Sequence, residues 1–534
     1  MNGAPSIDEI RIPQGRGGVL CVPPAGRAGE LLRRTAPALQ GVEVLGKGLP
    51  EVRRELQGAV LGMARKFTES VGCTVPALSS KGAGLIVTGH QPVFFHPGVW
   101  VKHFLLDRLR TSLGAAGLNV VVDTDEVGEV AVEIPARGER LRIVRETLVR
   151  APGDVPFEAY RPPSKDEWEG FLGRIASHLD TLGKPHLREF LDQLAKAASF
   201  AWERHQTLGE FLAAVRRRYE EEGGSPRGYG EVPLSWICQT PPFLRFFLHI
   251  AARGRTFAHI TNEHLAAYRR RHSLRSPAHP FPDLLDGGGL VELPFWVILQ
   301  GRRRELFVVP SAGELRLVAD DAPLATLPAV PEEALGILVR SALKVRPRAI
   351  TLTMFCRLFL ADLFIHGVGG GRYDEVTDAV IRDFWGIAPP PYIVASATLW
   401  PDLDGYEEVE EERRELQKRL LDLHHNPDRH LPNPTPEQTA LIEEKWRCIR
   451  TLEEGGLPRK RRRELTRRIR EINLRLSEAL REEIAAVEGR LKQLRSRLEE
   501  VQAAAYRGYP YFLFSPREVE SLVDRMFVTD TGRG

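Results

Sequence analysis

The sequence predicts an α/β fold with a parallel-sheet core, helical insertions and a C-terminal antiparallel coiled-coil arm. Three observations predict it. Gly84-Leu85-Ile86-Val87-Thr88-Gly89 is a short apolar run of the buried-strand type, and a helical pattern follows from Gly98 to about Leu113. A second buried run, Asn119-Val120-Val121-Val122-Asp123, comes next. Strand, helix and strand over ~40 residues make a βαβ unit, which requires a parallel sheet with helices on its faces. Third, from Glu407 onward Glu, Arg and Leu dominate the composition.

The elements follow in order. Residues 1–48 are rich in Gly and Pro, with a short strand at Gly18–Val22, and 49–71 read as a helix. After the first core strand, Pro97 suits the first helical position because its missing N–H is not needed there. The helix it opens carries Val99, Trp100, Val101, Phe104, Leu105, Leu106, Leu109 and Leu113. Two alternating runs, Glu129–Ile134 and Leu141–Leu148, predict a hairpin attached to the sheet. Residues 164–222 read as amphipathic helices inserted on the core. Strands are expected at Thr256–Thr261, Val291–Gln300, Glu305–Pro310 and Leu315–Ala319, and a helix-turn from Thr351 through Gly371.

The strongest periodicity is Leu465, Ile469, Ile472, Leu476, Leu480, Ile484, Val487, Leu491, Leu494, Leu498 and Val501, spaced by three or four with one extra four near Leu480. A helix of about 40 residues is ~60 Å long. An earlier helical run, about Pro436 to Leu452, ends at Gly455-Gly456 and predicts an antiparallel hairpin with the long helix. The expected divisions are 1–160, first part of the core; 161–230, a helical insertion; 231–400, the rest of the core; 401–510, the arm; and 511–534, a tail on the core.

Composition excludes several function classes. The 74 basic and 71 acidic residues leave a net charge of +3, which gives no global case for nucleic acid or an anionic membrane. Arg459-Lys460-Arg461-Arg462-Arg463 therefore reads as a solvated loop and helix start rather than a nucleic-acid patch. Cys21, Cys73, Cys238, Cys356 and Cys448 are scattered and form no CxxC, which fits a reducing compartment. Met1-Asn2-Gly3-Ala4-Pro5 lacks a basic flank and an apolar core, and no stretch approaches ~18 uncharged apolar residues. The expectation is a cytoplasmic protein.

Four segments could carry chemistry. The turn Thr88-Gly89-His90-Gln91-Pro92 with His96-Pro97-Gly98 lies at the carboxyl end of a parallel strand, where open α/β sheets bind ligands. This is a Rossmann-like strand–turn–helix. N–H groups at the helix start attract phosphate or carboxylate. His90 and His96 could bind that anion or transfer a proton, and Lys102 could reach it. Asp123, Asp125, Glu126 and Glu129 follow the second strand and should face the same crevice. Phe364-Ile365-His366-Gly367-Val368-Gly369-Gly370-Gly371-Arg372-Tyr373-Asp374-Glu375, an apolar helix end, a run of glycines and a cluster of His, Arg, Tyr, Asp and Glu, reads as a backbone-lined ligand loop, and it lacks the GK[ST] of a Walker loop. His424-His425-Asn426-Pro427-Asp428-Arg429-His430 has no second ligand cluster and reads as a polar loop, not a metal site.

These segments in this order, before a terminal coiled coil, resemble the bacillithiol-synthesis cysteine-adding enzymes. The family's Thr-Gly-Gln-Gln-Pro-Gly-type turn is matched by Thr88-Gly89-His90-Gln91-Pro92-Val93. Its acidic strand end is matched by Val122-Asp123-Thr124-Asp125, and its Gly-Gly-Pro-Gly-Glu-type loop by Gly369-Gly370-Gly371-Arg372. A Pro-containing strand then leads to Ser396-Ala397-Thr398-Leu399. His90 stands where the family has Gln, and the third loop departs after its glycines.

The resemblance implies a Rossmann-like core related to class I nucleotidyltransferases and a coiled-coil homodimer arm. The implied reaction joins the cysteine carboxyl group to the amine of glucosaminyl-malate or a related amino sugar. On that reading His90, His96, Asp123 and Asp125 are catalytic. Thr88, Gly89, Gln91, Lys102, Gly369, Gly370, Gly371, Arg372, Tyr373 and Asp374 bind substrate, and no residue binds metal. The sequence fixes no cofactor; ATP with Mg²⁺ is compatible, because amide formation from a free acid is uphill in water. The expected partners are small molecules and a second copy of the chain, with no nucleic acid and no membrane. Two alternatives stay open: a diverged nucleotidyltransferase-like enzyme with another acceptor, and a non-catalytic coiled-coil scaffold.

Overall fold

The computed structural model describes residues 10–75, 84–224, 226–274, 276, 279–311, 313–403, 406–454 and 457–527. The chain is mixed α/β and divides into two units. The first holds 1–134, 144–400 and 507–534, and the second 135–143 and 401–506.

The first unit is built on a six-stranded sheet of β1 (Val19–Val22), β2 (Leu85–His90), β3 (Ala116–Val121), β4 (Gly230–Pro233), β5 (Leu363–His366) and β6 (Tyr392–Ala397). The order is β1-β6-β5-β2-β3-β4, and β1 alone runs antiparallel, against β6. β2 to β6 are short and mostly buried and apolar, because both faces are covered; the polar exceptions include Thr88, His90, Asn119, Glu231, His366 and Ser396. The chain starts at β2, steps through β3 to β4 on one side, then returns past β2 to β5 and β6. The strand order thus reverses between β2 and β5, which are neighbours in register, Thr88 opposite Ile365.

Two helices leave the sheet at that reversal, α1 (Pro97–Leu113) after β2 and α2 (Val368–Trp385) after β5. Val376, Val380, Ile381 and Phe384 of α2 join a core cluster with Leu85 and Val87, and no residue of α1 does. The helices therefore lie on opposite faces, the arrangement at which open α/β sheets bind ligands outside the strand ends. Thr88 Oγ1 donates to Ile365 O at 2.9 Å and ties β2 to β5.

Several expectations are corrected. Thr256–Thr261 is not a strand but part of the helix Gly254–Arg271, whose buried Phe257, Ala258, Thr261, Leu265 and Tyr268 recur at helical spacing. Phe364-Ile365-His366 is strand β5, not the end of a helix. The glycines 369–371 form the first turn of α2 rather than a loop. The hairpin Glu129–Arg137 with Leu141–Arg150 is a separate two-stranded sheet. A second, antiparallel sheet includes Leu290–Leu299, Arg302–Ser311 and Glu314–Ala319, near the expected strands, and adds Ala322–Pro328 and Lys344–Pro347. The expected insertion is three helices, Lys165–Asp180, Pro185–Ala201 and Leu208–Glu222.

The second unit is helical: α3 (Tyr406–His425), α4 (Pro436–Glu453), α5 (Arg459–Ser477) and α6 (Arg481–Ala504). A single turn at Glu478–Leu480 separates α5 from α6, at the position of the irregular heptad spacing. Leu441, Ile472 and Leu476 form one core between α4 and α5, and Leu423, Leu480 and Val487 another between α3 and α6. Gly455-Gly456 and the Leu498 side chain lie outside the described residues. Among the described residues no helix is long and apolar enough to cross a membrane.

Candidate functional site

The carboxyl ends of β2, β5 and β6 bring together most of the residues expected to act. Gly89 lies beside His366 in the continuing register, and a Cβ at Gly89 would sit 2.9 Å from Val120 O, so β2 and β3 approach closely only through glycine. Lys102, one turn into α1, donates from Nζ to Gly89 O at 2.8 Å. Its side chain is buried, and among the described residues it has no carboxylate within ion-pair distance. Burial pushes its pKa down to about 7. His90 is half-buried at the strand end, with Nδ1 3.1 Å from Gln91 O; burial and then the Lys102 charge push it down to about 3. His96 caps α1, its Nδ1 accepting from Gly98 N at 3.0 Å. Burial and then Arg507 push it down to about 4. Both imidazoles are thus neutral near pH 7.

Arg507 completes this edge. It donates to Ser396 Oγ at 2.6 Å, Ala397 O at 3.0 Å and Thr398 Oγ1 at 3.0 Å, where β6 ends. Ser396 Oγ in turn donates to Gly98 O at 3.0 Å. Arg507, like Lys102, has no carboxylate partner among the described residues, and burial lowers its pKa. Two desolvated cations without counter-charges are costly unless an anion joins them.

Across the reversal, His366 ends β5. Its Nε2 donates to Asp374 Oδ2 at 2.7 Å, and Arg357 pairs with the same carboxylate at 2.7 Å and with Asp378 at 2.7 Å. Burial alone would raise Asp374; His366 and Arg357 outweigh it and hold the carboxyl well below its usual range. The His366 ring packs on Phe364 and Tyr392, with centroids at 4.6 and 4.9 Å. Its other nitrogen, Nδ1, faces Gly370, where a Cβ would lie 2.7 Å away. The first turn of α2 leaves the N–H groups of Val368, Gly369 and Gly370 without intrahelical acceptors, and a Cβ at Gly369 would meet nothing within 4 Å.

Other expected residues lie elsewhere. Asp123 does not face the crevice. Its buried carboxylate accepts from Ser235 N at 2.9 Å and Ser235 Oγ at 2.5 Å, holding the start of the Leu234–Ile237 helix. Burial and then nearby Glu158 push it up to about 7. Asp125 is clamped by Arg303 at 2.7 Å and by Gln91, so both side chains of that pair serve as a tether. Glu126 pairs with Arg303, and Glu129 with Arg145. Arg372 turns away to Ile10 O at 3.0 Å. Tyr373 packs toward His279, with ring centroids at 5.5 Å. Gly371 is a packing glycine, since a Cβ there would lie 2.4 Å from Val394 Cγ2. Among the described residues no group of three or more His, Cys, Asp or Glu is placed to hold a metal ion. The loop after α3 is held by Asp422–His430 at 2.8 Å and by Lys445 on Asp428.

Sequence reasoning placed His366 only as a flank of the glycine run, with no role of its own, and missed Ser396 and Arg507. It also missed a buried cluster behind His90. Glu220 takes hydrogen bonds from Trp100 at 2.6 Å, Tyr229 at 2.6 Å and His103 at 2.8 Å, and pairs with Arg216 at 3.0 Å. Arg216 also reaches Glu231 at 2.5 Å. The cavity between this cluster and His90 is about 10 Å³, room for no more than a water, so a ligand would sit on the crevice side of His90.

The fold and the site together define an α/β protein with Lys102 and Arg507, two basic side chains without a carboxylate partner among the described residues, near the carboxyl ends of a mostly parallel sheet. No protein-family model matches the chain, and no curated protein matches it.

Proposed function

We propose that this chain is a Rossmann-like enzyme that forms a carbon–nitrogen bond, a ligase of the cysteine-adding type. It would join the cysteine carboxyl group to the amine of glucosaminyl-malate or a related amino sugar. The observation that carries this reading is the His366–Asp374 pair at the end of β5, next to the end of β2 where Lys102 bonds Gly89 O, at the reversal of the strand order. The sequence β4-β3-β2-β5-β6 is the strand order of doubly wound dinucleotide-binding sheets, which supports the Rossmann-like reading.

The roles follow from the chemistry. Lys102 and Arg507, with the N–H groups of Val368 to Gly370, hold a carboxylate or phosphate and stabilise the charge that develops on the carboxyl oxygen. His366 Nδ1 takes the proton from the amine as its nitrogen attacks the carboxyl carbon. Asp374 fixes the tautomer that leaves Nδ1 free to accept it. The new C–N bond replaces a C–O bond, whose oxygen leaves with its electron pair. Lys102 and Arg507 fit the phosphates of a nucleotide, which when bound would supply the driving force for amide formation. The packed cores between α3 and α6 and between α4 and α5 support an antiparallel coiled-coil arm, and a homodimer through it is part of this proposal.

The test is mass spectrometry of protein incubated with glucosaminyl-malate, cysteine, ATP and Mg²⁺, with single omissions. A product equal to the two substrates minus water supports the ligase. Folded protein that yields no product but exchanges pyrophosphate with a nucleotide, without cysteine, would favour a nucleotidyl transferase on the same core.

A further inference from the structure

We propose that the turn end of the α4–α5 hairpin binds the phosphate backbone of single-stranded nucleic acid, with Trp446 as a stacking platform for a base. From the sequence alone the basic run at Arg459 reads as a solvated helix start. The structure adds residues from the neighbouring helix. Arg468 pairs with Glu444 at 2.6 Å and Arg475 with Glu437 at 2.6 Å, an antiparallel register that sets Arg450 level with Arg462. Toward the turn, Arg447 and Arg450 of α4 therefore join Arg459, Lys460, Arg462 and Arg463 of α5. All six are exposed, and among the described residues none has a carboxylate within ion-pair distance. Arg461 is paired with Glu464 at 3.1 Å. On the α4 side the acids are Glu437, paired with Arg475, Glu444, paired with Arg468, and Glu443, Glu453 and Glu454. The helix α5 carries nine basic residues against two acidic ones.

Six exposed cations on two adjacent helices repel one another, and among the described residues none forms an ion pair within the unit, although the Arg447 charge is felt by Glu444. A polyanion relieves that repulsion and releases its counterions on binding. The choice among polyanions rests on Trp446. It is 41% exposed on a helix whose other large apolar side chains are mostly turned inward, and it lies one turn from Arg450 on the same face. An indole flanked by guanidinium groups suits a nucleobase, by stacking and cation–π contact. A lipid surface would call for a wider apolar wedge than one aromatic residue.

Fluorescence anisotropy of a labelled 20-nucleotide uridine RNA with the full chain tests this. Binding is expected at 50 mM KCl, weakening about 10²-fold by 200 mM if roughly five phosphates are neutralised. The triple variant Arg450→Glu, Arg462→Glu, Arg463→Glu should bind at least about 10-fold more weakly. Trp446→Ala should bind about 5- to 100-fold more weakly. Both should keep the wild-type helical circular dichroism, since all four side chains are exposed. The proposal is overturned by absent RNA binding at 50 mM KCl, by undiminished binding of the triple variant, or by Trp446→Ala binding as wild type while dextran sulfate competes equally. Association with phosphatidylserine vesicles but not with RNA would also overturn it.

Discussion

The Asp374 carboxylate accepts the Nε2–H of His366 at 2.7 Å while pairing with Arg357 at the same distance. All three side chains are buried, so the imidazole has one orientation and one tautomer, with Nδ1 turned to the first turn of α2. A lone histidine at a strand end would sample both tautomers; with Nε2 donating to the Asp374 carboxylate, this one keeps Nδ1 as its acceptor nitrogen.

Asp374→Asn removes the charge and offers Nε2 a group that can turn its N–H toward it. Asp374 acts through His366, so the loss should fall on kcat, about 10²- to 10⁴-fold, with KM little changed and the pH profile displaced. Steady-state kinetics across pH checks this. A loss confined to stability would make Asp374 a structural residue.

Lys102 predicts a particular pH dependence. Its folded pKa is about 7, below the ordinary value of 10.5. Between those values the unfolded chain holds the proton and the folded one does not, so stability rises with pH across that window. The stability is lost as pH falls through 7. Lys102→Met should therefore be more stable than wild type at pH 6, with the difference shrinking toward pH 10. An added phosphate should raise the wild-type melting temperature more at pH 6 than at pH 9, and raise that of the variant less and equally at both. Thermal melts at those pH values decide it.

Asp123 is expected to be dispensable for chemistry. Its folded pKa is about 7, above the ordinary 3.8, so the folded state binds the extra proton and loses stability as pH rises between those values. Asp123→Asn keeps an acceptor for Ser235 N and removes a buried charge. It should retain turnover and be at least as stable as wild type at pH 8. Asp123→Ala leaves Ser235 N and Oγ unpaired and should cost about 1–3 kcal/mol by denaturant melts.

Gly369 and Gly371, two residues apart, should separate ligand contact from packing. Gly371→Ala forces a Cβ onto Val394 and should cost about 1–3 kcal/mol. Gly369→Ala meets nothing and should change stability by no more than about 0.5 kcal/mol. A methyl group there would still stand between the α2 N–H groups and a bound anion. Calorimetric titration with ATP should show weaker binding by Gly369→Ala at unchanged melting temperature.

The sequence was legible where one signal dominated. The apolar run before Gly89, Pro97 and the helical spacing after it place β2 and α1 within a residue or two. It was illegible where signals overlapped. Phe355 to Ile365 is nearly continuous apolar chain, so no period separates the helix, the π turn and β5, and His366 was left in the wrong element. Thr256–Thr261 alternates like a strand because two threonines and an isoleucine fall on it, while the helical spacing shows only over the whole of Gly254–Arg271. Asp123 and Asp125 come where an acidic strand end was expected. Their partners Ser235 and Arg303 are over 100 residues away in sequence. Arg507 has no local signal, since it reaches the site only because the chain returns to the first unit after the helices.

The measurement that tests the central claim most directly is single-turnover product formation by His366→Gln, followed by mass spectrometry, beside calorimetric ATP binding by the same sample. The account predicts wild-type ATP affinity with product formation slowed at least about 10²-fold. Wild-type product formation by His366→Gln would contradict it, and would move the chemistry away from the point where the strand order reverses.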